Sequence, residues 1–121
     1  MTLIRRSVSI WNINSFAEFF LQILGKYEAS YLQAMEEFRA ERARFVAELH
    51  EVSFLRVLPS EANYLLCEVK HHTPRELAIR LLKDYDILIK DCTSKCNAPY
   101  IRIAVRDTVD NNRLIDAFSQ L

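Results

Sequence analysis

Glycine is almost missing: the 121 residues contain one, Gly25, and only three prolines. A phosphate cradle is built from successive backbone N–H groups at positions that glycine adopts without strain, so the chain carries no phosphate loop of its own. Charge of one sign is lacking too. Sixteen basic and sixteen acidic side chains cancel, and no Lys/Arg run supplies the positive stripe that grips a nucleic-acid backbone. The apolar runs fall well short of the ~20 residues that span a bilayer. Nucleic acid and membrane are therefore not expected partners. The opening residues, MTLIRRSVSIW, hold a basic pair without an apolar stretch and small-residue cleavage site behind it, which leaves the cytoplasm as the simplest location. Three cysteines, an odd number in a chain that is 50% hydrophobic, do not make a disulfide framework and fit reduced thiols.

What is present has a clear order, and the length fits one domain with a modest core. SFAEFFLQIL, residues 15–24, places Ser15 and Glu18 at capping-box spacing and continues apolar almost all round, which predicts a short buried helix. After Gly25 a long amphipathic helix is expected, with Tyr27, Tyr31, Met35, Phe38, Phe45 and Leu49 on one stripe. Its other side, Glu36, Glu37, Arg39, Glu41, Arg42, Arg44 and Glu48, mixes both signs and reads as a solvated face. Phe54 to Leu58 and Tyr64 to Val69 are β-prone runs around a bend at Pro59 to Asn63. Thr73, Pro74 and Glu76 supply a capping residue, a first-position proline and a third-position glutamate, so a helix over about 74–84 is predicted. DILIKDC reads as a short strand, TSKCNAP as a loop and YIRIAVR as the last strand. Asp107 or Thr108 then caps a terminal helix with Leu114, Ile115 and Phe118 inward. The expected fold is α/β of the α+β type, a small sheet of about four strands packed against helices, with a long N-terminal helix.

Few residues suggest chemistry. Cys92, Cys96, His71 and His72 invite a zinc site, but the spacing is not CxxC and no fourth ligand is placed, so no metal is expected and two free thiols in a surface loop suffice. Cys67 sits in an apolar strand and reads as a core residue. The two histidines occupy a polar turn with no group to orient them as a base. Arg102 and Arg106 remain, on the strand that alternates Ile101, Ile103, Val105 with Arg102, Ala104, Arg106. A guanidinium on a stiff strand grips a carboxylate or phosphate through two parallel hydrogen bonds. The competing reading pairs each arginine with a neighbour such as Asp91 or Asp107.

Three segments resemble one family. Pro59-Ser60 with Ala62-Asn63-Tyr64 is similar to a Pro-Ser-x-Ala-Asn-Phe motif, Ile89-Lys90-Asp91 to Val-Arg-Asp, and Tyr100-Ile101-Arg102 leading to Asn111-Asn112-Arg113-Leu114 to a Tyr-Leu-Arg strand and Glu-Asn-x-x-Leu helix start. WNINSFAE resembles a Trp-x-Val-Asn-x-x-Ala segment of the decarboxylases. In this order and spacing they resemble the carboxy-terminal small domain of fold-type I (class I/II) pyridoxal-phosphate-dependent aminotransferases, in the branch of histidinol-phosphate aminotransferases and threonine-phosphate decarboxylases.

The resemblance implies a single small domain over 1–121: an interdomain segment and short helix over 1–26, a connecting helix over 27–51, and an αβ sandwich over 52–121. It implies that Arg102 binds the substrate α-carboxylate, that Arg106 either holds a substrate phosphate or serves as a salt-bridge partner, and that Asn14 and Trp11 lie near an active-site mouth, where packing is the plainer role. Lys90 stands where the family has arginine, which weakens fork recognition there. The resemblance assigns the Schiff-base lysine, the pyridinium aspartate and the phosphate cup to a large domain. None of Lys26, Lys70, Lys83, Lys90 and Lys95 follows a Ser-x-x-Lys pattern. The expectation is therefore a pyridoxal phosphate enzyme in the parent, with an amino-acid or keto-acid substrate and a homodimer, and a chain that binds no cofactor and is inactive alone. Residues 15–24 and part of the long helix would expose apolar surface that the missing large domain covers. The alternative is a free-standing αβ module that uses Arg102 and Arg106 to sense a small anionic metabolite, or residues 15–24 to dock a protein partner.

Overall fold

The alternation over residues 100–105 becomes the middle of a sheet. In the computed structural model, which describes residues 13–121, the elements run α1 (Ser15–Leu24), a 3-10 turn (Gly25–Tyr27), α2 (Glu28–His50), β1 (Leu55–Val57), β2 (Tyr64–Val69), α3 (Pro74–Tyr85), β3 (Lys90–Asp91), the single-turn α4 (Thr93–Cys96), β4 (Tyr100–Ala104) and α5 (Thr108–Ser119). The expected α+β architecture with four strands and a long N-terminal helix is what the structure has. The chain divides into two compact units between Glu36 and Glu37, inside α2.

In the second unit the strands lie in the order β1-β2-β4-β3, every neighbouring pair antiparallel. Leu65, Cys67 and Val69 of β2, Ile101 and Ile103 of β4 with Val105 beyond it, and Leu55 and Val57 of β1 share one buried face. Phe45 and Leu49 of α2, Leu77 and Leu81 of α3, and Leu114, Ala117 and Phe118 of α5 complete the core. Phe54 joins it edge-on to Phe118, with ring centroids 5.7 Å apart. A side chain of leucine or phenylalanine size gains about 1.5–3 kcal/mol on full burial, so this single cluster carries the fold.

The local signals explain most boundaries. Thr73 Oγ1 accepts from Glu76 N–H at 3.2 Å as the expected cap and donates to Glu76 Oε2 at 2.8 Å, and Pro74 opens α3. Asp107 caps α5 by accepting from Asp110 N–H at 2.9 Å. Ser60 holds the bend between β1 and β2, its Oγ accepting from Ala62 N–H at 3.1 Å and donating to the Tyr64 carbonyl at 2.7 Å.

Five expectations need correction. Asn14, not Ser15, caps α1: its Oδ1 accepts from Ala17 N–H at 2.9 Å, because the cap must stand one residue before the first helical dihedral. No residue of α1 is buried, and Phe16 is 88% exposed, so this is not a buried helix. The α2 stripe is buried only at Phe45 and Leu49, while Tyr27 and Tyr31 are about half exposed. The segment 86–92 is strand only at Lys90–Asp91. Asp86 adopts a left-handed conformation (φ 55°) and Ile87 N–H still bonds Leu81 O at 3.1 Å, so the chain is leaving α3 until then. The 93–99 loop contains the α4 turn, and Cys92 at its start is buried rather than a surface thiol.

Candidate anion-binding site

The face of the sheet opposite the core carries the functional candidates. Residues directly opposed across an antiparallel pair share a face, so the pairings Arg56↔Glu68, Glu68↔Tyr100, Leu66↔Arg102, Lys90↔Arg102 and Tyr64↔Ala104 place these side chains on one surface. Its carboxylate, Glu68, is taken by the arginine opposite: Arg56 Nε and Nη2 both reach Glu68 Oε2 at 2.5 Å, and this hydrogen bonding raises the Arg56 pKa.

Arg102 is left without an acid. Among the described residues no carboxylate pairs with it; its contact is with Tyr64, whose ring centroid lies 5.3 Å from the guanidinium carbon. The two acids that could have claimed it are engaged locally. Asp91 Oδ1 accepts from Thr93 N–H at 2.8 Å, and the Thr93 side chain and backbone together hold this carboxyl below its usual range. Asp107 caps α5. Lys90 stands directly across from Arg102, and like charges so opposed destabilise a strand pair. An anion between them reverses the sign of that interaction. The exposed fork therefore keeps its donors available for a small carboxylate or phosphate.

Arg106 is differently placed. It lies beyond the end of β4, where its Nε donates to Asp110 Oδ2, and that bond raises its pKa. Asn14 belongs to the first unit, with its Oδ1 engaged in the α1 cap. Trp11 lies outside the described residues. His72 packs its ring edge-on to Phe54 at 5.1 Å. Among the described residues no group of three or more His, Cys, Asp or Glu is placed to hold a metal, and no helix is long and apolar enough to cross a membrane.

A polar cluster behind the strand escaped the pattern reading. Asn111, 2% exposed, accepts from Arg106 N–H at 3.0 Å and donates to the Arg106 carbonyl at 3.0 Å and to Glu41 Oε1 at 2.8 Å. Glu41 also accepts from Thr108 Oγ1 at 2.9 Å and from Arg44 at 2.6 and 2.8 Å. Arg44 above all, with Asn111 and Thr108, brings the Glu41 carboxyl down to about 2. Glu41, Arg42 and Arg44 are thus not a solvated face: Arg42 crosses to the Ala62 carbonyl at 3.2 Å and to Glu61 at 3.0 Å. The Asn111 match to the Glu-Asn-x-x-Leu motif was the signal available; its partner 70 residues earlier was not.

Pyridoxal phosphate needs a lysine amine held neutral in a desolvated site and backbone donors for its phosphate. All five lysines are exposed and the single glycine lies in the 3-10 turn, so the described residues do not form such a site.

A four-stranded antiparallel sheet with helices against one face and a long helix before it is the architecture of the carboxy-terminal small domain of fold-type I pyridoxal-phosphate enzymes, and the chain resembles that domain along its whole length. Threonine-phosphate decarboxylase of Salmonella typhimurium is 31% identical to it over 119 residues, which are 97% of this chain and 32% of that enzyme. Histidinol-phosphate aminotransferase of Clostridium acetobutylicum matches in structure with a TM-score of 0.82 and 29% identity, over 98% of this chain and 36% of that one. A decarboxylase from Sulfurospirillum multivorans matches with a TM-score of 0.84 and 25% identity, over 98% and 35%. The chain spans between 14% and 32% of the length of the curated relatives that match nearly all of it. No protein-family model matches the chain.

Proposed function

We propose that this chain is the small domain of a pyridoxal-phosphate-dependent aminotransferase or threonine-phosphate decarboxylase-like enzyme, in which Arg102 holds the α-carboxylate of an amino-acid or keto-acid substrate. The carrying observation is an exposed guanidinium on a rigid strand, without an acid partner among the described residues, in a chain similar along its whole length to part of such enzymes. When bound, pyridoxal phosphate supplies the electron sink for bond cleavage at Cα. It and its lysine belong to the large domain of the parent. The role of Arg102 is to fix the carboxylate by two charge-assisted hydrogen bonds and so orient Cα. A cytoplasmic homodimer is part of this reading, and so is the inactivity of the chain alone.

The test replaces the matching segment of the Clostridium aminotransferase by this chain. In that chimera Arg102→Ala lowers kcat/KM by about 10²–10⁴-fold, the loss of two hydrogen bonds to a charged group at about 1.5–3 kcal/mol each. An unchanged kcat/KM rejects the carboxylate role. Saturable, one-to-one imine absorbance from a single site lysine of the isolated chain mixed with pyridoxal phosphate rejects the division of labour.

The Lys90–Arg102 opposition favours one further reading, a free-standing module for a small anion. Saturable binding of inorganic phosphate by the isolated chain, removed by Arg102→Ala, together with an unchanged kcat/KM for Arg102→Ala in the chimera, supports it. Binding removed instead by Arg106→Ala moves the site to the end of β4.

A further inference from the structure

We propose that Tyr64 is a positioning residue for Arg102, holding the guanidinium by its flat face so that all the in-plane donors stay free for the carboxylate. The inference rests on the carboxylate reading above and adds the residue that sets the geometry. A fork that recognises a carboxylate uses the edge of the guanidinium plane, whereas an aromatic ring binds a cation from above the plane. A tyrosine can therefore restrain the arginine without competing for the ligand, which an acid partner could not do.

Three features put the ring there. Tyr64 is opposite Ala104 and diagonal to Arg102 across the β2–β4 pair, within reach of a large side chain, and the small Ala104 leaves room for the ring to lie along the strand. The Tyr64 carbonyl is tied to Ser60 Oγ at 2.7 Å, and Asn63 O accepts from Val105 N–H at 2.9 Å, so the backbone beneath the ring is fixed to both neighbouring segments. Arg42 holds the same bend through the Ala62 carbonyl and Glu61. On its other sides Arg102 meets Leu66 and Lys90 across the strands, and neither offers an acceptor. The phenol oxygen has no part in this, so phenylalanine should serve equally well.

The experiment uses the full 121-residue chain with ¹⁵N-labelled arginine, the Arg102 Nε–H resonance being assigned by its loss in Arg102→Lys. Its side-chain protons should show an upfield ring-current displacement that Tyr64→Leu removes and Tyr64→Phe keeps. Titration with succinate as the carboxylate probe should perturb that resonance, with Kd rising about 2- to 5-fold in Tyr64→Leu and staying unchanged in Tyr64→Phe. A displacement that persists in Tyr64→Leu overturns the positioning role, as does its loss without any change in Kd. If succinate leaves Arg102 unperturbed in the unsubstituted chain while the displacement is present, the carboxylate reading fails first and the positioning role falls with it.

Discussion

Replacing Asn111 with alanine removes three hydrogen bonds at a side chain that is 2% exposed, two to the backbone of Arg106 and one to the carboxylate of Glu41. The backbone bonds are worth about 0.5–1.5 kcal/mol each and the bond to a charged group about 1.5–3 kcal/mol. Water reaching the exposed Arg106 corner recovers part of this, leaving an expected loss of about 2–4 kcal/mol. That is a large share of the ~5–15 kcal/mol typical of a domain. Urea unfolding followed by far-UV circular dichroism reads it as a lower midpoint at unchanged slope, and faster exchange of the Arg106 amide localises it. Asn111→Asp keeps the acceptor for Arg106 N–H but sets a second carboxylate against Glu41. Its penalty should therefore be greatest at neutral pH and shrink as acidification protonates the new carboxyl, which burial and the Glu41 charge push above the ordinary aspartate range and which can then donate again. A loss below about 1 kcal/mol for Asn111→Ala would refute the view that this residue ties the end of β4 to α2.

Glu41 has a folded-state pKa of about 2 against an ordinary 4.5; the stability it contributes is complete above the ordinary value and disappears as pH falls from there through about 2. Solvent screening at the half-buried Arg44 limits the contribution to roughly 1–2 kcal/mol, and Glu41→Gln should flatten the acid limb of a stability–pH curve. Of the three thiols only Cys96 is exposed, and burial pushes the Cys67 thiol up to about 12. A disulfide reagent near pH ~8 should titrate one thiol quickly in the folded chain and all three after unfolding. The exposed Phe16, Phe19 and Phe20 of α1 should drive concentration-dependent self-association. Sedimentation should show this association weakened by Phe16→Ser with Phe20→Ser, and a monomer at all concentrations would contradict it.

Much of the fold was legible. β2 begins and ends where the apolar run Tyr64 to Val69 does, α3 begins where its capping Thr73 and proline put it, and the alternation in β4 named the buried and open faces correctly. Each of these is a local property: capping is a contact over three residues, and a strand's two faces follow from its period of two. The misreadings were long-range. Apolar character all round suggested that α1 is buried, but hydrophobicity says that a surface prefers to be covered and not that this chain covers it. The charged side of α2 looked solvated because the partners of Glu41, Thr108 and Asn111, stand about 70 residues away.

The linear order of residues determined on its own the order of the main elements, the core face of each main strand, the helix cap of α3, and the family likeness that singled out Arg102. Tertiary structure alone decided whether that arginine is paired. Glu68 lies opposite Arg56 on β1 and Tyr100 on β4, so the strand register gives this carboxylate to Arg56 and leaves Arg102 beside Tyr64 and Lys90. Register is settled by burying Leu65, Cys67, Ile101 and Ile103 together on the far side of the sheet, a cooperative packing of segments some 40 residues apart that no local pattern contains.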